Sequence, residues 1–155
     1  TKPVNLNLTV DTVGALNGTD ADDIITGTDG DDLIIGGAGD DIMFGGLGAD
    51  TFAWNLGDQG TVAAPATDTI LDFNTDEGDV LDLRDLVQSG TSDNITDYLS
   101  LSKEGNDTVL SVQHEGQGGV TQKIVLKDVD FSGFGSTETE ILNNLISQGN
   151  IRIDN

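Results

Sequence analysis

A nine-residue period runs unbroken from Gly18 to Ala53, in four units: GTDADDIIT, GTDGDDLII, GGAGDDIMF and GGLGADTFA. The first place is always glycine (Gly18, Gly27, Gly36, Gly45) and the sixth always aspartate (Asp23, Asp32, Asp41, Asp50). The eighth is always apolar (Ile25, Ile34, Met43, Phe52). Nine acids and nine glycines fall in this stretch, and no basic residue does. Residue type is locked to phase, so the stretch is a repeat and not a low-complexity segment. Each unit divides into a six-residue turn and a three-residue strand. Glycine lets the turn reach positive φ and lets carbonyl oxygens converge. The strand sends its middle residue to one face and its neighbours to the other.

If nine residues make half a coil, units two apart stack on the same side, about 4.8 Å apart. Asp23 then falls near Asp41, and Asp32 near Asp50. Two carboxylates at that spacing repel by roughly 3 kcal/mol at an effective dielectric of 20. A calcium ion between them, taking about six to eight oxygen ligands at 2.3–2.6 Å, reverses the sign. A single glycine–aspartate turn reads more readily as an ordinary hairpin with solvated acids; four in unbroken phase reverse that.

Composition agrees. The formal net charge is −22, from 28 acidic residues against 6 basic ones. That balance argues against nucleic acid and against an anionic membrane surface. No apolar run approaches the ~18 residues of a membrane span. Cysteine is absent, which excludes disulfides and thiolate metal sites. The first ten residues lack both a starting Met and the basic-then-apolar layout of a secretory leader. The chain is therefore expected to be a piece of something longer, a monomeric module within it.

The pattern G-G-x-G-x-D-x-apolar-x resembles the repeats-in-toxin (RTX) calcium-binding nonapeptide, a known parallel β-helix motif. The resemblance implies a mostly β fold, a calcium-bound β-roll (β-solenoid) continuing into a C-terminal β-rich part with one short helix. It also implies ions between loop n and loop n+2, with Ca2+ the only cofactor. One site would use the carbonyls of Thr19 and Ala21 with Asp23, then Gly36, Ala38 and Asp41. A second would use Thr28, Gly30 and Asp32, then Gly45, Leu47 and Asp50. Two half-loops stay open at the C-terminal end, Gly37/Gly39/Asp41 and Gly46/Gly48/Asp50, with Asp72 and Asp79 as candidates to close them. Thr19, Ala21 and Thr28 stand where glycine is usual, and Ala21 is expected to strain the first turn.

Outside the repeat, residues 1–17 read as a strand and linker through the alternation Val4, Leu6, Leu8, Val10. Residues 54–155 read as a β-rich cap. Strand-like runs fall at 69–73, 80–83, 98–102, 108–113 and 122–126, with a Gly105-Asn106 turn. A helix capped by Ser136 or Thr137 carries Ile141, Leu142, Leu145 and Ile146 on one face, with Gly149 as its stop. A short strand follows at 151–155. In a bare roll the seventh and ninth places face outward, and here they hold Ile24, Leu33, Ile35, Ile42 and Phe44. Such patches are usually covered, so the segment after Trp54 is expected to pack over a roll face.

The runs Asp68-Thr69-Ile70-Leu71-Asp72-Phe73 and Gly78 to Leu86 resemble the block that follows the repeats in type I secretion substrates. Together with Ala49 to Trp54 and the terminal helix and strand, they resemble the C-terminal target domain of large bacterial adhesins. That implies secretion to the outside or the bacterial cell surface. The type I machinery, an ATP-driven inner-membrane transporter with an outer-membrane channel, would read an uncleaved signal near 136–155. The alternative is the calcium-binding tail of a secreted protease, lipase or polysaccharide epimerase. No catalytic constellation is present. The single histidine, His114, rules out a zinc protease HExxH, and no serine sits in a G-x-S-x-G elbow. Ice binding would need a longer flat ladder of Thr or Asn than four units provide.

Overall fold

The structure, a computed structural model, describes residues 4–6, 15–87, 94–115 and 118–153. Leu8, Val10, Asp154 and Asn155 lie outside the described residues. The period-nine pattern produces what it predicts. Strands β1 (Val4–Leu6), β3 (Asp23–Thr26), β5 (Ile42–Phe44) and β7 (Ala66–Ile70) lie side by side in one parallel sheet. Strands β2 (Ala15–Asn17), β4 (Leu33–Ile35), β6 (Thr51–Ala53) and β8 (Val80–Asp82) lie in a second. Successive strands thus alternate between two sheets, and each pair makes one coil of a roll. Residues before the repeat supply its first coil, so that segment is part of the roll as well as a lead into it.

The eighth-place residues point inward. Leu16, Ile34 and Phe52 stack in register in one sheet, and Ile25 and Met43 in the other, all essentially buried. Their burial supplies the apolar drive that three-residue strands lack by themselves.

The sheets do not stop at Ala53, where the repeats end. β7 and β8 form a further coil, and two later strands add another: β11 (Gln122–Leu126) beside β7, and β12 (Ile151–Arg152) beside β8. Leu126 continues the inward row through Ile70, and Ile151 the row through Leu81. Between β8 and β11 the chain makes a hairpin of β9 (Leu99–Glu104) and β10 (Asp107–Val112). The two-residue loop Gly105-Asn106 joins them, with Gly105 at φ 64°. Both strands extend the first sheet antiparallel beyond β11. A chain of rings, Phe52–Phe73–Phe131–Phe134, ties the roll to this part at centroid spacings of 5.7–6.3 Å.

Among the described residues the cap extends the roll along its axis and leaves part of its outer faces open. Leu33, Ile42 and Phe44 remain 37–41% exposed, contrary to the expectation that the chain after Trp54 would cover them. Adding strands to an open sheet edge satisfies the backbone donors and acceptors there, which covering a face would not.

The helix α1 (Glu138–Gln148) begins where its capping signals place it. Thr137 Oγ1 accepts the Glu140 N–H at 3.2 Å, and Glu140 reaches back to the Ser136 N–H at 2.9 Å. Gly149 closes it at φ 86°. Leu142 and Leu145 are buried, so the helix packs on the core with the face its periodicity assigns. Thr137→Ala removes one cap bond and is expected to cost about 1 kcal/mol. Urea unfolding in saturating calcium would read this as a lower midpoint with unchanged slope.

Candidate metal centre

The strand registers set the geometry of the turns. Ile24 pairs with Ile42, and Ile42 with Thr69, so Asp23, Asp41 and Asp68 form a row. Leu33 pairs with Thr51, and Thr51 with Val80, so Asp32, Asp50 and Asp79 form a second row on the other side. Each row is a ladder of backbone-to-carboxylate hydrogen bonds. Asp41 Oδ1 accepts the Asp23 N–H at 2.9 Å, and Asp68 Oδ1 accepts the Asp41 N–H at 2.8 Å. In the second row Asp50 accepts from Asp32, and Asp79 from Asp50, both at 2.9 Å. Asp22, Asp40 and Asp31, in the fifth place, do the same for Asp40, Thr67 and Ala49.

The turns lie directly on one another. Gly37 and Gly46 have φ of 96° and 103°, and Gly39 and Gly48 111° and 103°. A Cβ on Gly37 would meet the Thr19 carbonyl oxygen at 2.1 Å, and one on Gly46 the Thr28 oxygen at 1.9 Å. Likewise a Cβ on Gly18 would meet the Gly36 oxygen at 2.0 Å, and one on Gly27 the Gly45 oxygen at 2.2 Å. The carbonyls of Thr19, Thr28, Gly36 and Gly45 therefore occupy the space between stacked turns, beside Asp23 and Asp32. Ala21 and Gly30 back onto Gly39 and Gly48 in the same way. Leu47 is 59% exposed; Ala38 is half-buried.

Ala21 is not strained, contrary to expectation: among the described residues the one positive-φ residue other than glycine is Asp128. Threonine takes over glycine's part in the first two turns. Thr19 donates both its N–H and its hydroxyl to Asp23 Oδ2, and Thr28 does so to Asp32 Oδ2. Each threonine Oγ1 also accepts the N–H two residues on, from Ala21 and Gly30. This is the local competition with regular backbone pairing that favours Thr in turns.

Three carboxylate oxygens in these rows are buried with no hydrogen-bond partner: Asp23 Oδ1, Asp41 Oδ2 and Asp50 Oδ2. A buried acceptor without a partner costs about 1–3 kcal/mol, more when charged, and no base within the repeat offsets it. A hard cation is what such oxygens fit. Among the described residues no three or more His, Cys, Asp and Glu side chains group in a way that could hold a metal. Any ion must therefore draw on carbonyls as well as carboxylates.

Burial pushes the Asp41 and Asp50 carboxyls up to about 7, with like charges adding to it: Asp68 and Asp23 for the first, Asp79 and Asp32 for the second. Burial likewise raises Asp68 to about 6, and raises Asp79. In the folded metal-free form these groups bind protons that the unfolded chain has already released. Metal-free stability should therefore fall as pH rises from about 4 to 7. A cation held by these carboxylates would have to displace those protons, so its affinity should rise over the same range. Unfolding in chelator at pH 5 and pH 8, with calcium midpoints at both, checks the sign. A metal-free chain more stable at pH 8 would contradict it.

Asp72 and Asp79 both lie over the second row. Asp72 accepts the Gly45 and Gly46 N–H groups at 2.9 and 2.8 Å, and Asp79 Oδ2 accepts the Asn74 N–H at 2.8 Å. The first row ends instead on Asp68, which sequence reasoning missed. Its signal was present: Asp68 lies 27 residues beyond Asp41, three whole periods.

Residues 17–52 match the family model of the RTX calcium-binding nonapeptide repeat, in 4 copies. No curated protein matches the chain. Two solution structures are similar, both subunits of the Azotobacter vinelandii mannuronan C5-epimerase. The AlgE6R2 subunit is 27% identical over 98% of this chain and 92% of its own, with a TM-score of 0.58. The AlgE6R3 subunit is 28% identical over 82% and 78%, with a TM-score of 0.53. The four nonapeptides are thus calcium-binding repeats, and the fold is an RTX β-roll.

Proposed function

We propose that the chain is an extracellular module that orders its turns on calcium, carried at the C-terminus of a type I secreted adhesin. The orphaned buried oxygens of Asp23, Asp41 and Asp50 carry the reading. In the first row the ligands are Asp23 and Asp41 with the carbonyls of Thr19, Ala21, Gly36 and Ala38. In the second they are Asp32 and Asp50 with those of Thr28, Gly30, Gly45 and Leu47. Asp72 and Asp79 close the half-loop Gly46/Gly48/Asp50. A bound calcium supplies positive charge between carboxylates that otherwise repel. The protein's part is to bring the oxygens together and to keep bases away.

Extracellular modules hold calcium at about 10⁻⁴–10⁻³ M, so inside a cell the turns stay open. Outside, calcium at about ten times Kd contributes roughly 1.4 kcal/mol per ion, against a small domain's ~5–15 kcal/mol in all. Export through an ATP-driven transporter, with the signal in 136–155, fits a chain whose turns close only after exit. Secretion into calcium-free medium should be slower, and an unchanged rate would count against this route.

A second reading, the tail of a secreted polysaccharide epimerase, is favoured by the two similar structures. Calcium-dependent binding of mannuronan to the isolated chain would favour it over the adhesin. Calorimetry of Asp23→Asn and Asp32→Asn tests the ligand rows. Each variant should lose one ion and keep the rest, and full uptake by both would refute the assignment.

A further inference from the structure

The last rung of the first row differs from the rungs above it. Asp68 is fully buried and in register with Asp41. Its Oδ1 plays the usual part, accepting the Asp41 N–H. Its Oδ2 accepts two side-chain donors, Trp54 Nε1 at 2.7 Å and Gln122 Nε2 at 2.9 Å. Asp41 Oδ2, one rung up, has none. Gln122 turns its amide toward Asp68 even though its own Oε1 then lacks a partner. The three residues come from separate segments: Asp68 from β7, Gln122 from β11, and Trp54 from just after β6.

Two neutral N–H groups therefore do at Asp68 what a cation does between the repeat turns. Hydrogen bonds to an ionised acceptor are about twice as strong as neutral ones, and these two share one buried oxygen with no water to compete. The Asp68 carboxylate then presents a fixed acceptor to the turn above, and fixes the backbone of Asp41.

We propose that Asp68, clamped by Trp54 and Gln122, is a positioning residue: a rung that needs no ion and that pre-sets Asp41 for the first-row calcium. The proposal rests on the assignment of Asp23 and Asp41 as ligands. It makes the two rows unequal. The second row ends on Asp79, held by the Asn74 backbone N–H and, among the described residues, by no side-chain donor.

The whole chain carries the test. Its one tryptophan gives one indole N–H resonance. In excess chelator that resonance should stand downfield and exchange slowly. In an Asp32→Asn background, which keeps the first-row site and removes the Asp32–Asp50 site, Trp54→Phe should weaken the first-row calcium midpoint roughly tenfold, the loss expected of one hydrogen bond to a charged group. In an Asp23→Asn background the same change should leave the second-row midpoint where it was. Gln122→Met repeats the test should Trp54→Phe not fold.

An indole resonance that forms only with calcium would overturn the proposal, as would midpoints that move alike in both backgrounds or in neither. Calcium uptake with unmoved midpoints sinks the clamp alone. A chain that takes up no calcium sinks the ligand rows and the clamp with them.

Discussion

Asp41→Asn is expected to move stability in opposite directions with and without calcium. Asparagine keeps an oxygen for the Asp23 N–H, so the ladder bond survives and the charge alone is removed. In chelator at pH 8 the variant should be more stable than the parent chain. Burial and the charges of Asp68 and Asp23 hold Asp41 near 7, so a neutral group suits the metal-free fold better than a carboxylate does. In calcium the sign reverses. The variant loses the first-row ion, worth roughly 1.4 kcal/mol at ten times Kd, and should need at least about tenfold more calcium to order. Asp23→Asn should do less, because Asp23 ends its row among the repeats while Asp41 sits between two neighbours. Urea unfolding with and without calcium checks both halves, and destabilisation in both would contradict the account.

Gly46→Ala should have the largest effect of any single methyl group. A Cβ there would lie 1.9 Å from the Thr28 carbonyl oxygen, so the stacked turns must part. The φ of 103° adds strain of its own. Together these should cost more than about 3 kcal/mol and end calcium uptake in the second row. Gly57→Ala is the control, because Gly57 has φ 110° but open space around it. Its cost should be backbone strain alone, about 1–2 kcal/mol, with calcium uptake unchanged. Equal effects at the two positions would mean that turn stacking does not govern the site.

Local features were legible in the sequence wherever a period or a cap recorded them. The inward row Ile25, Ile34, Met43, Phe52 follows from the eighth place, and the Asp23–Asp41 and Asp32–Asp50 pairs from stacking two units apart. The helix from Thr137 to Gly149 and the strand 122–126 were equally plain, since capping and alternation are local signals. The last coil was not. β11 and β12 belong to one coil but are separated by α1, and nothing local to Gln122 or Ile151 records which edge each strand will join. Asp68 was hidden for the same reason, since 27 residues keep the phase of the row without repeating its glycines. The exposed Ile42 and Phe44 misled in the other direction: their pattern asks for a cover, while the open sheet edges made the stronger demand.

Hydrogen exchange at the Asp23 and Asp32 amides tests the central claim most directly. Both donate to the next carboxylate of their row, at 2.9 Å, and each is the first aspartate of its row. If calcium closes the turns, these two amides should exchange freely in excess chelator and become protected as the ions bind. Equal protection in chelator and in calcium would show that the acidic rows close unaided.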